Sequence, residues 1–76
     1  MELHGFIQNL ANQFDDVKVN EIKGETSYKN LEGYSSLIAL SIIAMVDEEY
    51  NVRLKGDDIR NTETVEGLFN IVKSRI

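Results

Sequence analysis

The sequence predicts a small all-α domain, a four-helix bundle with a long first loop and a short third helix. Two segments, one near each end, repeat apolar residues every three or four positions, the spacing that lines one face of an α-helix. Between them, a nearly continuous apolar run follows two serines that can cap a helix. No segment alternates apolar and polar residues for the length of a strand. Because the composition shows no break, we expect one domain over residues 1–76.

The first helix is predicted from Leu3 onward, and a long loop is predicted after it. The apolar positions of this helix share one face: Leu3, Phe6, Ile7, Leu10, Ala11 and Phe14. The pattern ends at Asp15-Asp16, and the polar stretch that follows, to Asn30, is too long for a tight turn. We therefore expect an ordered loop that is fixed to the core by its own apolar side chains. These are Val17, Val19, Ile22, Tyr28 and Leu31.

The second helix is predicted to begin at Ser35 or Ser36, because a serine hydroxyl there can cap free backbone N–H groups where Gly33 closes the loop. It should end near Tyr50. At about 100° per residue this helix has two apolar faces, of which the bulkier is expected in the core. The predicted core face comprises Ala39, Ile42, Ile43, Val46 and Tyr50. The opposite face comprises Leu37, Leu40, Ser41, Ala44 and Glu48.

Two explanations fit the second apolar face. Either the helix is packed between two neighbours, or this face is an exposed docking surface. In the second case a partner would bury Leu37 and Leu40, while Asp47 and Glu48 would meet its Arg or Lys side chains. The sequence leaves both explanations open.

The last two helices are predicted from their boundaries. A short third helix is expected over residues 57–60, between Gly56 and Asn61. The last helix should follow Thr64, a good N-cap, with Glu66 placed favourably near the positive end of the helix dipole. Its apolar stripe comprises Val65, Leu68, Phe69, Val72 and Ile76.

The charge of the chain limits its partners. Eight Lys and Arg against thirteen Asp and Glu give a formal net charge of −5, which repels nucleic acids and anionic lipid surfaces. We therefore expect partners with basic surfaces, and no nucleic acid. The first residues lack the segments of a signal peptide, and no apolar run approaches the roughly 20 residues that span a bilayer. We expect a cytoplasmic monomer that does not insert into a membrane.

Neither catalysis nor metal binding is expected. His4 is the only histidine, lies near one end and has no cysteine partner, because the chain contains no cysteine. The absence of cysteine also excludes disulfides and thiolate metal sites. The acid pairs Asp15-Asp16 and Asp57-Asp58 lack the spacing of a calcium-binding loop, so they are expected to be solvated.

The segment Gly33-Tyr34-Ser35-Ser36-Leu37, which leads into the second helix, resembles the acyl carrier protein family. The attachment motif of that family is Asp-Ser-Leu at the start of the second helix, and Ser36-Leu37 matches its last two residues. The resemblance covers essentially the whole chain, in order and in spacing. Its further elements are the first amphipathic helix, Tyr28 in the loop, Asp47-Glu48-Glu49-Tyr50, Val52-x-Leu54 and Thr64-Val65-Glu66.

The resemblance implies that the Ser36 hydroxyl is joined by a phosphodiester to 4'-phosphopantetheine, whose thiol carries acyl groups as thioesters. A phosphopantetheinyl transferase would install this arm from coenzyme A. The cargo would be used by acyl-transfer or synthase enzymes with basic docking patches. Carriers of this family bind their partners through the second helix. The corresponding partner-binding residues here are Leu37, Leu40, Ser41, Ala44, Asp47 and Glu48.

One position departs from the family pattern, because Ser35 stands where the family has Asp. Serine and aspartate cap a helix about equally well, but the carboxylate that assists the transferase in the family is missing. Tyr34 resembles the aromatic residue of specialised carriers with a Trp-Asp-Ser-Leu type of motif, or it simply packs over the helix start. The alternative function is therefore an unmodified acyl-carrier-like helical module that only binds other proteins.

Overall fold

The computed structural model describes residues 1–76 and contains four α-helices and no β-strand. The helices are α1 (Leu3–Ala11), α2 (Ser36–Tyr50), α3 (Gly56–Arg60) and α4 (Val65–Ser74). The all-α prediction is therefore confirmed. α1 packs against both α2 and α4, and α3 packs against α4. No helix combines the length and the hydropathy that a membrane span requires.

Both amphipathic helices are shorter than their apolar patterns. α1 ends at Ala11, and Phe14 is buried from the turn that follows, where its N–H donates to the Ala11 carbonyl at 3.0 Å. α4 ends at Ser74, so the assignment of Ile76 to the buried stripe was wrong, and its side chain is exposed. An apolar pattern records which residues pack, and a helix can end before the pattern does.

The predicted N-caps are both present. Ser35 Oγ accepts a hydrogen bond from the Ile38 N–H at 3.3 Å, and Thr64 Oγ1 accepts one from the Gly67 N–H at 3.0 Å. At its other end α2 stops where Asn51 adopts a left-handed conformation with φ of 56°. Asparagine is one of the few non-glycine residues that adopt this conformation readily, so the second helix ends where the sequence predicts.

The core is apolar, and within it Phe6 of α1 contacts an aromatic residue from each of two other helices. The centre of its ring lies 5.6 Å from that of Phe69 in α4 and 5.9 Å from that of Tyr50 in α2. The Tyr50 hydroxyl accepts a hydrogen bond from Asn9 Nδ2 of α1 at 2.9 Å. No polar or charged residue is buried, so hydrophobic burial and aromatic packing hold the helices together.

The long loop between α1 and α2 is ordered by its pairing with the start of α4. The Thr26 carbonyl accepts a hydrogen bond from the Val65 N–H at 2.9 Å, and the Gly24 carbonyl accepts one from the Glu66 N–H at 2.9 Å. The first N–H groups of a helix have no partner within it. The loop carbonyls therefore accept hydrogen bonds from the free N–H groups at the start of α4, and these hydrogen bonds hold the loop in place.

The predicted anchors of this loop all contact the core. Ile22 and Tyr28 are buried, and the other three pack against the core while half-buried: Val17, Val19 and Leu31. The Tyr28 hydroxyl lies 2.7 Å from Thr62 Oγ1 and 3.2 Å from the Ile59 carbonyl oxygen. Burial raises the pKa of Tyr28. The loop is thereby joined to α3 and to the connection between α3 and α4.

The buried face of α2 is rotated relative to the predicted one. Ile42 and Val46 are fully buried as predicted, but Met45, which was not assigned to the core, is buried as well. The other predicted core residues are only half-buried: Ala39, Ile43 and Tyr50. Ala39 and Ile43 line an open groove beside α3, because a helix of five residues covers less of α2 than a full-length helix would.

Truncation of Ile42 should be costly, because its side chain is fully buried. We expect Ile42→Ala to lower the free energy of unfolding by about 2–5 kcal/mol. Leu40→Ala is the matched control on the same helix, with a side chain that is 62% exposed, and should change that free energy by about 0.5 kcal/mol or less. Urea unfolding followed by circular dichroism measures both. Equal losses in the two variants would contradict the observed orientation of α2.

Candidate functional site

At the start of α2 one serine caps the helix and the next is the first helical residue. Ser35 is extended, with φ of −158° and ψ of 174°, and its Oγ is engaged by the N–H of Ile38. Ser36 is the first residue of the helix and is exposed. Ahead of them, Gly33 has φ of +89° in open surroundings, so the backbone conformation rather than crowding favours glycine there. Both serines are exposed, and they differ in that the Ser35 hydroxyl is engaged as the helix cap.

An open groove of about 440 Å³ adjoins Ser36. Its volume lies within the range of small-molecule sites in proteins. α2 forms one side, α3 forms the other, and the long loop contributes two residues. The lining residues are Ser36, Ala39, Leu40 and Ile43 from α2, Gly56, Ile59 and Arg60 from α3, and Lys29 and Tyr34 from the loop. Because most of this surface is apolar, the groove suits an apolar group that is tethered at Ser36.

Tyr34 packs against the core two residues before α2 begins, and it lines the groove. The centre of its ring lies 6.0 Å from that of Tyr28, with the two planes inclined at 71°. Such edge-to-face pairs stabilise aromatic contacts beyond simple burial. Burial also raises the pKa of Tyr34. Tyr34 therefore connects the groove to the buried Tyr28.

The position of α3 depends on an ion pair with the end of the chain. Arg75 Nη1 and Nη2 each donate to the Asp58 carboxylate at 2.8 Å. Asp58 Oδ2 also accepts a hydrogen bond from the Lys55 N–H at 2.9 Å, at the start of α3. The Arg75 guanidinium, and after it the Lys55 N–H, lower the pKa of Asp58 from 3.8 to about 2. This carboxylate thus fixes one wall of the groove to the region beyond α4.

The second face of α2 is open to solvent. Leu37 is 72% exposed and Leu40 is 62% exposed. Ala44, Asp47 and Glu48 are exposed as well, whereas Ser41 is half-buried. α2 is therefore not packed between neighbours on both of its apolar faces. An exposed pair of leucines on a helix that ends in carboxylates is a surface that a basic protein partner can cover.

The structure brings together only part of the predicted site. Ser36 and Leu40 line the groove, while the remaining predicted partner-binding residues lie along α2 outside it: Leu37, Ser41, Ala44, Asp47 and Glu48. The sequence did not predict Lys29, Ile59 or Arg60 as site residues. These three come from two separate segments that only the folded chain places beside α2, and no local pattern marks them.

In comparisons with known proteins, no family model and no curated protein matches this chain. Ser36, the adjoining groove and the exposed face of α2 are the features of the molecule that bear on its function.

The Asp58–Arg75 ion pair should make stability depend on pH in the acid range. Because the pKa of Asp58 is lowered from 3.8 to about 2, its contribution is complete above its unfolded pKa and is lost as pH falls towards 2. We expect Arg75→Gln to have a lower melting temperature than the unsubstituted protein at pH 7. The difference between the two melting temperatures should shrink steadily between about pH 4.5 and pH 2.

The control for this experiment is Arg60→Gln. Arg60 pairs with Asp57 at 2.8 Å, but both side chains are largely exposed, so the loss should be small at every pH. Thermal unfolding followed by circular dichroism measures the two variants side by side. A difference for Arg75→Gln that stays constant from pH 7 to pH 2 would contradict the role of Asp58.

Proposed function

We propose that the protein is a carrier that holds acyl or related intermediates as thioesters on a 4'-phosphopantetheine arm attached to Ser36. It presents them to partner enzymes in fatty acid, lipid or specialised metabolite synthesis. The observation that carries this proposal is the exposed Ser36 at the first position of α2, beside an apolar groove. The chain has no cysteine, so the arm supplies the thiol. A carrier needs no catalytic group of its own, and the protein is not proposed to be an enzyme.

The groove provides a place for the carried chain outside water. Ala39, Ile43 and Ile59 offer apolar surface within it, and each methylene removed from water contributes about 0.8 kcal/mol. The cargo must also leave again to react, which an open groove permits more easily than a closed cavity. Tethering keeps the thioester at a high effective concentration for each partner enzyme.

The arrangement of the helices supports the same proposal. α1 packs against α2 and α4, and α3 packs against α4, which fits the small four-helix bundle predicted from the sequence. In this arrangement the short α3 leaves room for the groove. We propose that the protein works as a cytoplasmic monomer, because its partners must reach both Ser36 and the exposed face of α2.

The exposed face of α2 is the proposed docking surface for a phosphopantetheinyl transferase and for acyl-transfer or synthase enzymes. Leu37 and Leu40 would be buried by the partner, and Asp47 and Glu48 would meet its basic side chains. The formal net charge of −5 favours association with such basic surfaces over a longer range.

A second candidate function is an unmodified module that only binds proteins through the same face of α2. The observation that favours it is Ser35, which caps α2 but carries no negative charge. Both functions use the docking surface, and they differ in whether Ser36 becomes modified.

The carrier function predicts that Ser36 accepts one phosphopantetheine arm. We expect incubation with coenzyme A and a broad-specificity phosphopantetheinyl transferase to add one arm, seen by intact-protein mass spectrometry. Ser36→Ala should abolish the addition, because it removes the nucleophilic hydroxyl. Ser35→Ala is the matched control, which should lose about 1 kcal/mol of stability as a cap but should still be modified. Modification at Ser35 would contradict the assignment of the arm to Ser36, and no modification with any transferase would exclude the carrier function and favour the binding module.

If the exposed face of α2 is the docking surface, reversing acidic charges on this face should weaken partner binding more than reversing acidic charges elsewhere. We expect Asp47→Lys with Glu48→Lys to raise the KM of the transferase by about tenfold, because both charges would face a basic partner. Asp15→Lys with Asp16→Lys makes the same change in net charge on an exposed loop, and it should have a much smaller effect. Transferase kinetics at constant salt measure both. Equal effects in the two variants would indicate that net charge matters and that this face of α2 does not.

A further inference from the structure

The groove beside Ser36 is lined by basic side chains and by no acidic ones, in contrast to the acidic composition of the whole protein. Its lining includes Lys29 and Arg60 and no Asp or Glu, although the formal net charge of the chain is −5. Shelter for a plain hydrocarbon chain requires apolar walls and no cation. Two basic side chains at an otherwise largely apolar groove suit a ligand that joins an apolar body to a negative group.

Lys29 is held in place at this groove. Its Nζ donates a hydrogen bond to the Arg60 carbonyl at 3.3 Å, which fixes it to the end of α3. The same Nζ lies 5.9 Å from the centre of the Tyr28 ring and 3.8 Å from Glu63 Oε1. Only 23% of the Lys29 side chain is exposed. The ammonium group is therefore positioned before any ligand arrives, which lowers the entropic cost of binding an anion.

Arg60 has N–H groups beyond the one that contacts Asp57. Its Nη1 contacts Asp57 Oδ1 at 2.8 Å, and both side chains of this pair are more than 70% exposed, so the pair is weak. The other N–H groups of the guanidinium can donate to a carboxylate in the two-point geometry that arginine favours. The acids that neighbour the two cations, Asp57 and Glu63, do not line the groove.

We propose that this groove selects an acyl chain whose far end is a carboxylate over a chain of equal length that ends in a methyl group. The apolar part of the chain lies against Ala39, Ile43 and Ile59, and the carboxylate is bound by Lys29 and Arg60. As a statement about cargo, this inference rests on the proposed carrier function. The preference of the groove itself belongs to the unmodified chain and is testable there.

The first test uses the unmodified chain and two small probes of equal carbon number, hexanoate and 1-hexanol. In NMR titrations at low salt, hexanoate should shift the methyl signals of Ile43 and Ile59 and bind about fivefold more tightly than 1-hexanol. The preference should decrease at high salt. Equal binding of the two probes, or shifts outside the groove, would overturn the proposal.

Charge variants show whether the two cations cause the preference. Lys29→Gln with Arg60→Gln should bind both probes equally, whereas Arg53→Gln removes an exposed cation that does not line the groove and should keep the preference. Inorganic phosphate serves as the probe for the phosphodiester of the arm. If phosphate shifts the Arg60 side-chain signals and hexanoate leaves the groove methyl groups unchanged, the cations serve the arm and the proposal is wrong.

The second test uses the arm-bearing protein loaded with an octanoyl group or with its eight-carbon analogue that ends in a carboxylate. The carboxylate-ended cargo should raise the melting temperature more, and the difference should vanish in the Lys29→Gln, Arg60→Gln variant. Equal melting temperatures in the unsubstituted protein would overturn the cargo inference while the carrier function stands. If no arm can be attached, the carrier function fails, and the hexanoate titration still decides whether the groove prefers a carboxylate.

Discussion

The buried Tyr28 connects the parts of the molecule that form the groove. Its hydroxyl bonds to Thr62, which in turn donates to the Asp58 carbonyl of α3 at 2.9 Å, and its ring supports Tyr34 at the start of α2. Both walls of the groove are therefore positioned from one side chain in the loop. An apolar residue at this position would fill the space but would remove the hydrogen bonds that join the loop to Ile59 and Thr62. A tyrosine supplies both the volume and the hydrogen bond.

The different positions of Ser35 and Ser36 at the start of α2 follow from helix geometry. The residue before the first turn directs its side chain back to the free N–H groups of the helix, while the next residue is already helical. Ser35 Oγ is thus used by the backbone, while the exposed Ser36 is the first residue of the helix itself. The short α3 complements this arrangement, because it leaves Ala39 and Ile43 of α2 only half-covered next to that hydroxyl.

Sequence patterns predicted the helices well and the groove poorly. The caps at Ser35 and Thr64 are local signals, since each depends on residues within one turn, and both were correct. The orientation of α2 was partly wrong, because an almost wholly apolar helix has no strong periodicity to show which side is covered. Lys29 and Arg60 could not be assigned to a site, since their proximity results from a hydrogen bond between distant segments.

The charges around α2 are separated along the helix, and the distance has a physical consequence. Ser36 and Asp47 are eleven residues apart, which corresponds to about 16 Å of helix. The Debye length at physiological salt is about 8 Å, so a charged group held near Ser36 and the exposed acids at the far end of α2 interact only weakly through solvent. A basic partner at Asp47 and Glu48 would therefore not compete with Lys29 and Arg60 for the same carboxylates. In the proposed function, docking would use the acids near the end of α2, and cargo binding would use the cations of the loop and α3, so the two opposite charges lie on different elements of the fold.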